Sequence, residues 1–227
     1  MDTKKQKEDS SQIAYNGIRR MLYNKEIVPG QKIAYRDLAV KLNLSPTPIV
    51  QALKWLELQG FVSHEPNRGF YMTPFSIKEL EELYELRELV EPSLLPATIH
   101  RLTKEGLAEL KKALEAHLSA EREFYLKERL FKNRDFHMKL ASLSGKDTQI
   151  RLLQNVFDML FLKYGGNYFP MSSLSSTDQE HQEIFDAVSL RSLERAQRVL
   201  KNHLTNVKIQ VLTSVKKILA EQNQQYF

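Results

Sequence analysis

From Pro74 onward the sequence carries no strand signal, and that absence over roughly two thirds of the chain decides most of what it can become. Apolar residues there recur at helical spacing, and the breaks between them have helix-end chemistry. Ser76-Ile77-Lys78-Glu79 has capping-box spacing, with a side-chain acceptor at the helix start and a carboxylate three residues on. Thr177-Asp178-Gln179-Glu180 repeats that spacing. Thr103, Gly145, Gly165-Gly166 and Pro170 supply the remaining punctuation. The pattern predicts helices near 77–100, 104–120, 122–143, 147–164, 178–189 and 192–221, with no repeat of fixed period. Such a series folds as an antiparallel all-helical bundle.

The first third reads differently. Residues 11–25 are amphipathic, with Ala14, Ile18, Met21 and Leu22 on one side, and Pro29-Gly30 is a turn. A short helix near 35–42 buries Leu38, Ala39 and Leu42. Ser45-Pro46 supplies an N-cap and a first-turn proline for a helix that runs to Gln59 and stops at Gly60. Phe61-Val62-Ser63-His64 and Phe70-Tyr71-Met72 are short strands around a hairpin loop, Pro66-Asn67-Arg68-Gly69. Two helices joined by a tight turn and followed by a hairpin make a winged helix-turn-helix. The fold expected is therefore mainly α, a winged unit over 10–75 and a bundle over 76–222, behind a disordered polar leader at 1–9. A chain of 227 residues accommodates two such cores.

Charge and composition narrow the function. Residues 1–76 hold eleven Lys and Arg against seven Asp and Glu, whereas the remainder holds twenty-two against twenty-one, so the positive excess sits where a polyanion would be met. The polar start lacks the apolar stretch of a secretion signal, and no apolar run is long enough to span a membrane. The absence of cysteine removes disulfides and thiolate sites and fits a cytoplasmic address.

In a winged helix-turn-helix the second helix enters the major groove. Ile49, Ala52, Leu53 and Leu56 define its buried face, so Thr47, Val50, Gln51 and Lys54 point elsewhere, some of them into the groove. Gln51 suits an adenine edge and Val50 a thymine methyl. Arg36 is placed for a phosphate or a base, and Arg68, at the hairpin tip, for the backbone or the minor groove.

The helical part has a signal of its own. Asn133 and His137 share one helical face, and His181 and His203 lie on later helices. Three imidazoles and one amide oxygen meeting in a bundle core suit a divalent ion such as zinc or nickel, although scattered histidines are also found on surfaces or satisfied in cores. His64, His100 and His117 are read as surface or structural residues. Arg87 falls in the stripe Leu80, Leu83, Tyr84, Arg87, Val90, Leu94, where a guanidinium needs an anionic partner. That partner is either Glu91, one turn on, or a bound anion. No nucleophile constellation or zinc-hydrolase motif appears, which argues against an enzyme.

These residues also carry a resemblance. Pro29-Gly30-Gln31-Lys32-Ile33, Asp37-Leu38-Ala39, Leu44-Ser45-Pro46-Thr47-Pro48-Ile49, Gln51-Ala52-Leu53, Gly60-Phe61-Val62 and Arg68-Gly69 resemble the GntR family of bacterial repressors. The resemblance implies a homodimer on a short pseudopalindromic DNA operator, with Arg36, Ser45, Thr47 and Gly69 at positions of family DNA contacts. Pro46 and Val50 depart from it, since the family often has arginine at the first and usually at the second. Arg87 with Glu91, Asn133-Arg134-Asp135-Phe136-His137, Glu180-His181 and His203 are similar to the FCD sensor domain of the family's FadR branch. Metal-binding members place an Asp and three His at these positions, and here Asn133 stands for the acidic ligand. Asp135, two residues on, lies on a different face. The resemblance implies that a small organic acid binds the bundle and alters operator binding. The alternative keeps the DNA-binding module and leaves the bundle metal-free, serving only dimerisation.

Overall fold

The computed structural model describes residues 9–119, 126–164 and 174–224. Residues 1–8 of the leader expected at 1–9, the start of the third bundle helix at 122–125 and the breaks at Gly165-Gly166 and Pro170 lie outside them, while Asp9 is not part of a disordered leader but caps the first helix. The chain divides into two compact units that meet in sequence between Phe75 and Ser76, with the short stretch Phe161–Lys163 grouped with the first.

In the first unit, α1 (Ser10–Tyr23) starts where the Asp9 side chain accepts from the Ser11 amide, and it ends two residues before the expected stop. Ala14, Ile18, Met21 and Leu22 form its buried face. After β1 (Lys32–Ile33), α2 (Tyr35–Leu42) ends at Asn43, whose left-handed φ of 54° turns the chain toward α3 (Pro46–Leu58). Leu42 is half-buried rather than buried and lies against Gly17, where an added Cβ would come within 2.8 Å of it. Ile49, Ala52, Leu53 and Leu56 of α3 are fully buried, which is the face its spacing predicts.

Gly60, at φ 86°, then turns the chain into β2 (Val62–Glu65), which pairs antiparallel with β3 (Gly69–Met72). β1 adds on the other side of β3, in the order β1-β3-β2, with Ile33 opposite Phe70. This third strand was not expected. Two residues are too few to show alternation, and only the tertiary pairing reveals them. The unit is a winged helix-turn-helix.

The second unit holds α4 (Ile77–Arg101), α5 (Lys104–Leu118), α6 (Leu126–Ser142), all but the last two residues of α7 (Asp147–Leu162), α8 (Leu174–Ser189) and α9 (Leu193–Gln224). Ser76 caps α4 by accepting from the Glu79 amide, and Thr103 caps α5 by accepting from the Gly106 amide. The second capping box is not a cap, because α8 already runs from Leu174 through Thr177. α4 continues through Pro92 and Pro96. Leu95, Leu102, Leu110, Leu114, Phe136, Leu140, Ile184, Ala187, Leu200 and Leu204 share one apolar core that ties α4, α5, α6, α8 and α9 together. Among the described residues no helix is long and apolar enough to cross a membrane.

Candidate functional site

Two sites were expected, one in each unit. In the first, α3 turns Thr47, Gln51 and Lys54 to solvent and leaves Val50 half-exposed, opposite its buried face. Ser45 occupies the N-cap position with Pro46 in the first turn, but its hydroxyl makes no cap hydrogen bond and stays at the surface. Arg36 is exposed in the first turn of α2, its guanidinium 5.8 Å from the ring of Tyr35. Lys54 pairs with Glu57 at 2.8 Å and lies 5.4 Å over the Phe70 ring. At the hairpin tip Arg68 pairs with Glu65 at 2.6 Å, and Gly69 takes a φ of 99°. Exposed pairs of this kind contribute little and are readily exchanged for a phosphate.

The second unit brings His137 of α6, His181 of α8 and His203 of α9 together, all buried, with one ring nitrogen of each within 4.8 Å of the others. Nε2 of His137 lies 3.1 Å from Nε2 of His181 and 3.3 Å from Nε2 of His203. The opposite ring nitrogen of each is taken by an oxygen. His137 Nδ1 meets Glu91 Oε2 at 2.6 Å, His181 Nδ1 meets the Thr177 carbonyl at 2.7 Å, and His203 Nδ1 meets Glu180 Oε2 at 2.8 Å. Those oxygens accept, so each Nδ1 carries a hydrogen, and a neutral ring held this way turns its Nε2 lone pair into the cluster. Burial holds His137 and His181 well below the ordinary imidazole range, which keeps them neutral.

Three buried imidazole Nε2 atoms facing one another are the donor set a divalent ion requires. Asn133 lies one turn before His137, and its Oδ1 is buried without a hydrogen-bond partner among the described residues. A cleft of about 320 Å³ between α8 and α9, lined by Glu180, Glu183, Asn202 and Asn206 among others, borders His203.

Arg87 is buried, as its stripe predicts, and its Nε donates to Glu91 Oε1 at 2.7 Å. Its guanidinium stacks 4.5 Å from the Phe157 ring, and its Nη2 is buried without a hydrogen-bond partner among the described residues. The stripe differs from expectation at one place, since Val90 is half-buried and Glu91 takes the inner position. Burial pushes the Glu91 carboxyl up, but the Arg87 guanidinium and His137 outweigh it and hold the group well below the usual carboxylate range.

His117 is buried with its ring centroid 4.4 Å from that of His181, while His64 and His100 are at the surface. What the sequence reading missed is the outer layer. Glu180 was read as part of a capping box and, beside His181, of the resemblance to the FCD domain, but not as the partner of His203, which it holds while accepting from Asn206 Nδ2 at 2.6 Å. Glu91 was read only against Arg87. A carboxylate one turn along a buried stripe from Arg87 was the available signal for a second partner.

Comparison with known proteins adds the following. Residues 10–72 match the family described as bacterial regulatory proteins, gntR family, and residues 82–206 match the FCD domain. The uncharacterized HTH-type transcriptional regulator YdhC of Bacillus subtilis is 27% identical over 197 residues, covering 85% of this chain and 86% of its own. The Nta operon transcriptional regulator of Aminobacter aminovorans is 24% identical over 193 residues, covering 85% and 90%. Among solved structures, E. coli McbR/YncC matches with a TM-score of 0.73 at 20% identity, covering 96% of this chain and 99% of its own. A GntR transcriptional regulator from Rhodococcus sp. RHA1 matches with a TM-score of 0.74 at 21% identity, covering 89% and 97%. At these identities the structural likeness is one of fold.

Proposed function

We propose a function from one premise: the chain belongs to the GntR family of bacterial regulatory proteins and carries an FCD domain. It is a DNA-binding transcription regulator and not an enzyme. Beyond that, our reading is a cytoplasmic homodimer on a short pseudopalindromic operator. Thr47, Val50, Gln51 and Lys54 enter the major groove, Arg36 and Ser45 meet phosphates or base edges, and Arg68 and Gly69 bring the wing to the backbone.

In the second domain the Nε2 atoms of His137, His181 and His203, with the Asn133 amide oxygen, hold a divalent ion, zinc or nickel. Bound there, the ion supplies a Lewis-acidic anchor for an anion. Arg87 receives the carboxylate of a small organic acid at its open Nη2, and that binding changes affinity for the operator. The observation that carries the reading is the meeting of three Nε2 atoms, each imidazole being held from outside by an oxygen. Burying acceptors tip to tip is costly without a cation, and outer oxygens of this kind are how metal-binding imidazoles are oriented.

A second reading, a metal-free bundle that only dimerises, is favoured by the Arg87–Glu91 pair, which gives the guanidinium an anion without any effector. Metal analysis of the purified full chain, followed by calorimetric titration with a panel of small organic acids, separates the two. The first reading expects stoichiometric metal, its loss in His137→Ala and His181→Ala, and an Arg87→Ala variant that keeps metal but binds no acid. Full metal content in both histidine variants places the site elsewhere. A wild-type protein that takes up neither zinc nor nickel leaves the second reading.

A further inference from the structure

Glu91 touches both halves of that site. Its Oε1 accepts from Arg87 Nε at 2.7 Å and its Oε2 accepts from His137 Nδ1 at 2.6 Å, with all three side chains buried. Arginine has no acceptor, so it claims one oxygen of residue 91 whatever else happens. The other oxygen holds the His137 proton on Nδ1. In a neutral ring that leaves the His137 Nε2 lone pair, and not an N–H, facing His181 and His203.

We infer that Glu91 is a positioning residue that sets the tautomer of His137, and that through it the ion-binding capacity of the three-histidine cluster depends on what Arg87 is bound to. The inference rests on the reading of the cluster as a metal site. A carboxylate arriving at Arg87 shares the guanidinium with Glu91 and leaves more of the Glu91 charge to His137. A stronger acceptor at Nδ1 makes Nε2 a better electron-pair donor. Acid and ion then favour one another, and by linkage the effect is reciprocal.

Glu91→Gln is the test, because glutamine keeps the shape but has one acceptor oxygen and an NH2 group. Arg87 claims the oxygen. The NH2 then faces His137, which must accept at Nδ1 and carry its proton on Nε2, aimed into the cluster. Imidazole nitrogen NMR spectra of histidine-labelled, metal-free full-length protein are expected to show the Nδ1-H form of His137 in the wild type and the Nε2-H form in Glu91→Gln. Zinc affinity, measured against a chromophoric chelator, is expected to fall about 100-fold, the upper end for loss of an outer partner.

The double variant Arg87→Met with Glu91→Gln removes the competing donor, so the amide turns its oxygen to His137. Zinc affinity is then expected to return to within about tenfold of wild type. A merely structural role for the pair would make the double variant weaker than the single one. Arg87→Met alone probes the same link with Glu91 intact, should Glu91→Gln not fold, and is expected to bind zinc more tightly than wild type. Wild-type zinc affinity in Glu91→Gln, an unchanged His137 tautomer, a double variant weaker than the single, or weaker zinc in Arg87→Met each overturns the inference. His137→Ala distinguishes that failure from failure of the metal reading, since it loses zinc only if the cluster is the site.

Discussion

Arg36 and Asn133 are single side chains on which large differences in affinity are expected to turn. Arg36 stands exposed in the first turn of α2 with the neighbouring Tyr35 ring 5.8 Å from its guanidinium. Arg36→Ala is expected to weaken DNA binding by about 1–3 kcal/mol if the arginine reads a base edge. Titration of a labelled operator duplex at fixed salt measures it, and unchanged affinity removes Arg36 from the interface. Asn133 presents a buried, unpartnered oxygen but no charge. Asn133→Asp is expected to tighten zinc by about tenfold or more, which is ~1.4 kcal/mol, and chelator competition reads the change directly. At this scale helical spacing put only Asn133 and His137 on one face, and it was the resemblance to the FCD domain that implied His137, His181 and His203 as a set. Neither told which ring nitrogen points inward. That choice is made by the oxygens of Glu91, Thr177 and Glu180, two of them on elements remote in sequence from the imidazole they hold.

Among the elements, helix boundaries with side-chain caps were the most legible, and Ser76 is the clearest. Its hydroxyl accepts from the Glu79 amide at 3.2 Å, and its carbonyl accepts from the Tyr164 hydroxyl at 3.2 Å. Ser76→Ala removes only the first of these and is expected to lower stability by about 1 kcal/mol, the usual worth of a cap. Urea unfolding monitored by circular dichroism is the measurement, and a loss below a few tenths would show that the tertiary contacts of α4 carry its start unaided. Thr177 shows the limit of the same signal. A hydroxyl followed three residues later by a carboxylate has the same spacing inside a helix as at its beginning, and α8 runs straight through it. The two-residue β1 failed for the opposite reason, being too short for any periodicity and defined by its pairing with β3.

For the whole molecule, an ion that binds the folded chain and not the unfolded one adds stability by mass action. At a free concentration of about one hundred times its dissociation constant the gain is ~2.7 kcal/mol, which for a chain of this size corresponds to a rise in Tm of about 5–10 °C. A strong chelator is expected to lower the Tm of the wild type by that amount and to leave His137→Ala unmoved. Equal shifts in the two proteins would mean that the chelator acts elsewhere. One feature of α4 bears on how such binding is felt across the domain. Its 25 residues span about 37 Å as a helix, yet Pro92 and Pro96 have no amide hydrogen, so the carbonyls of Glu88 and Pro92 lack the bond that a neighbour four residues on would make. The turn that carries Glu91 is therefore the one where α4 bends at least cost in hydrogen bonds. A helix with its most compliant joint beside a buried ion pair is a mechanical element as well as a wall of the site, and hydrogen exchange faster around Val90–Leu94 than in the helical turns on either side of it would register that compliance.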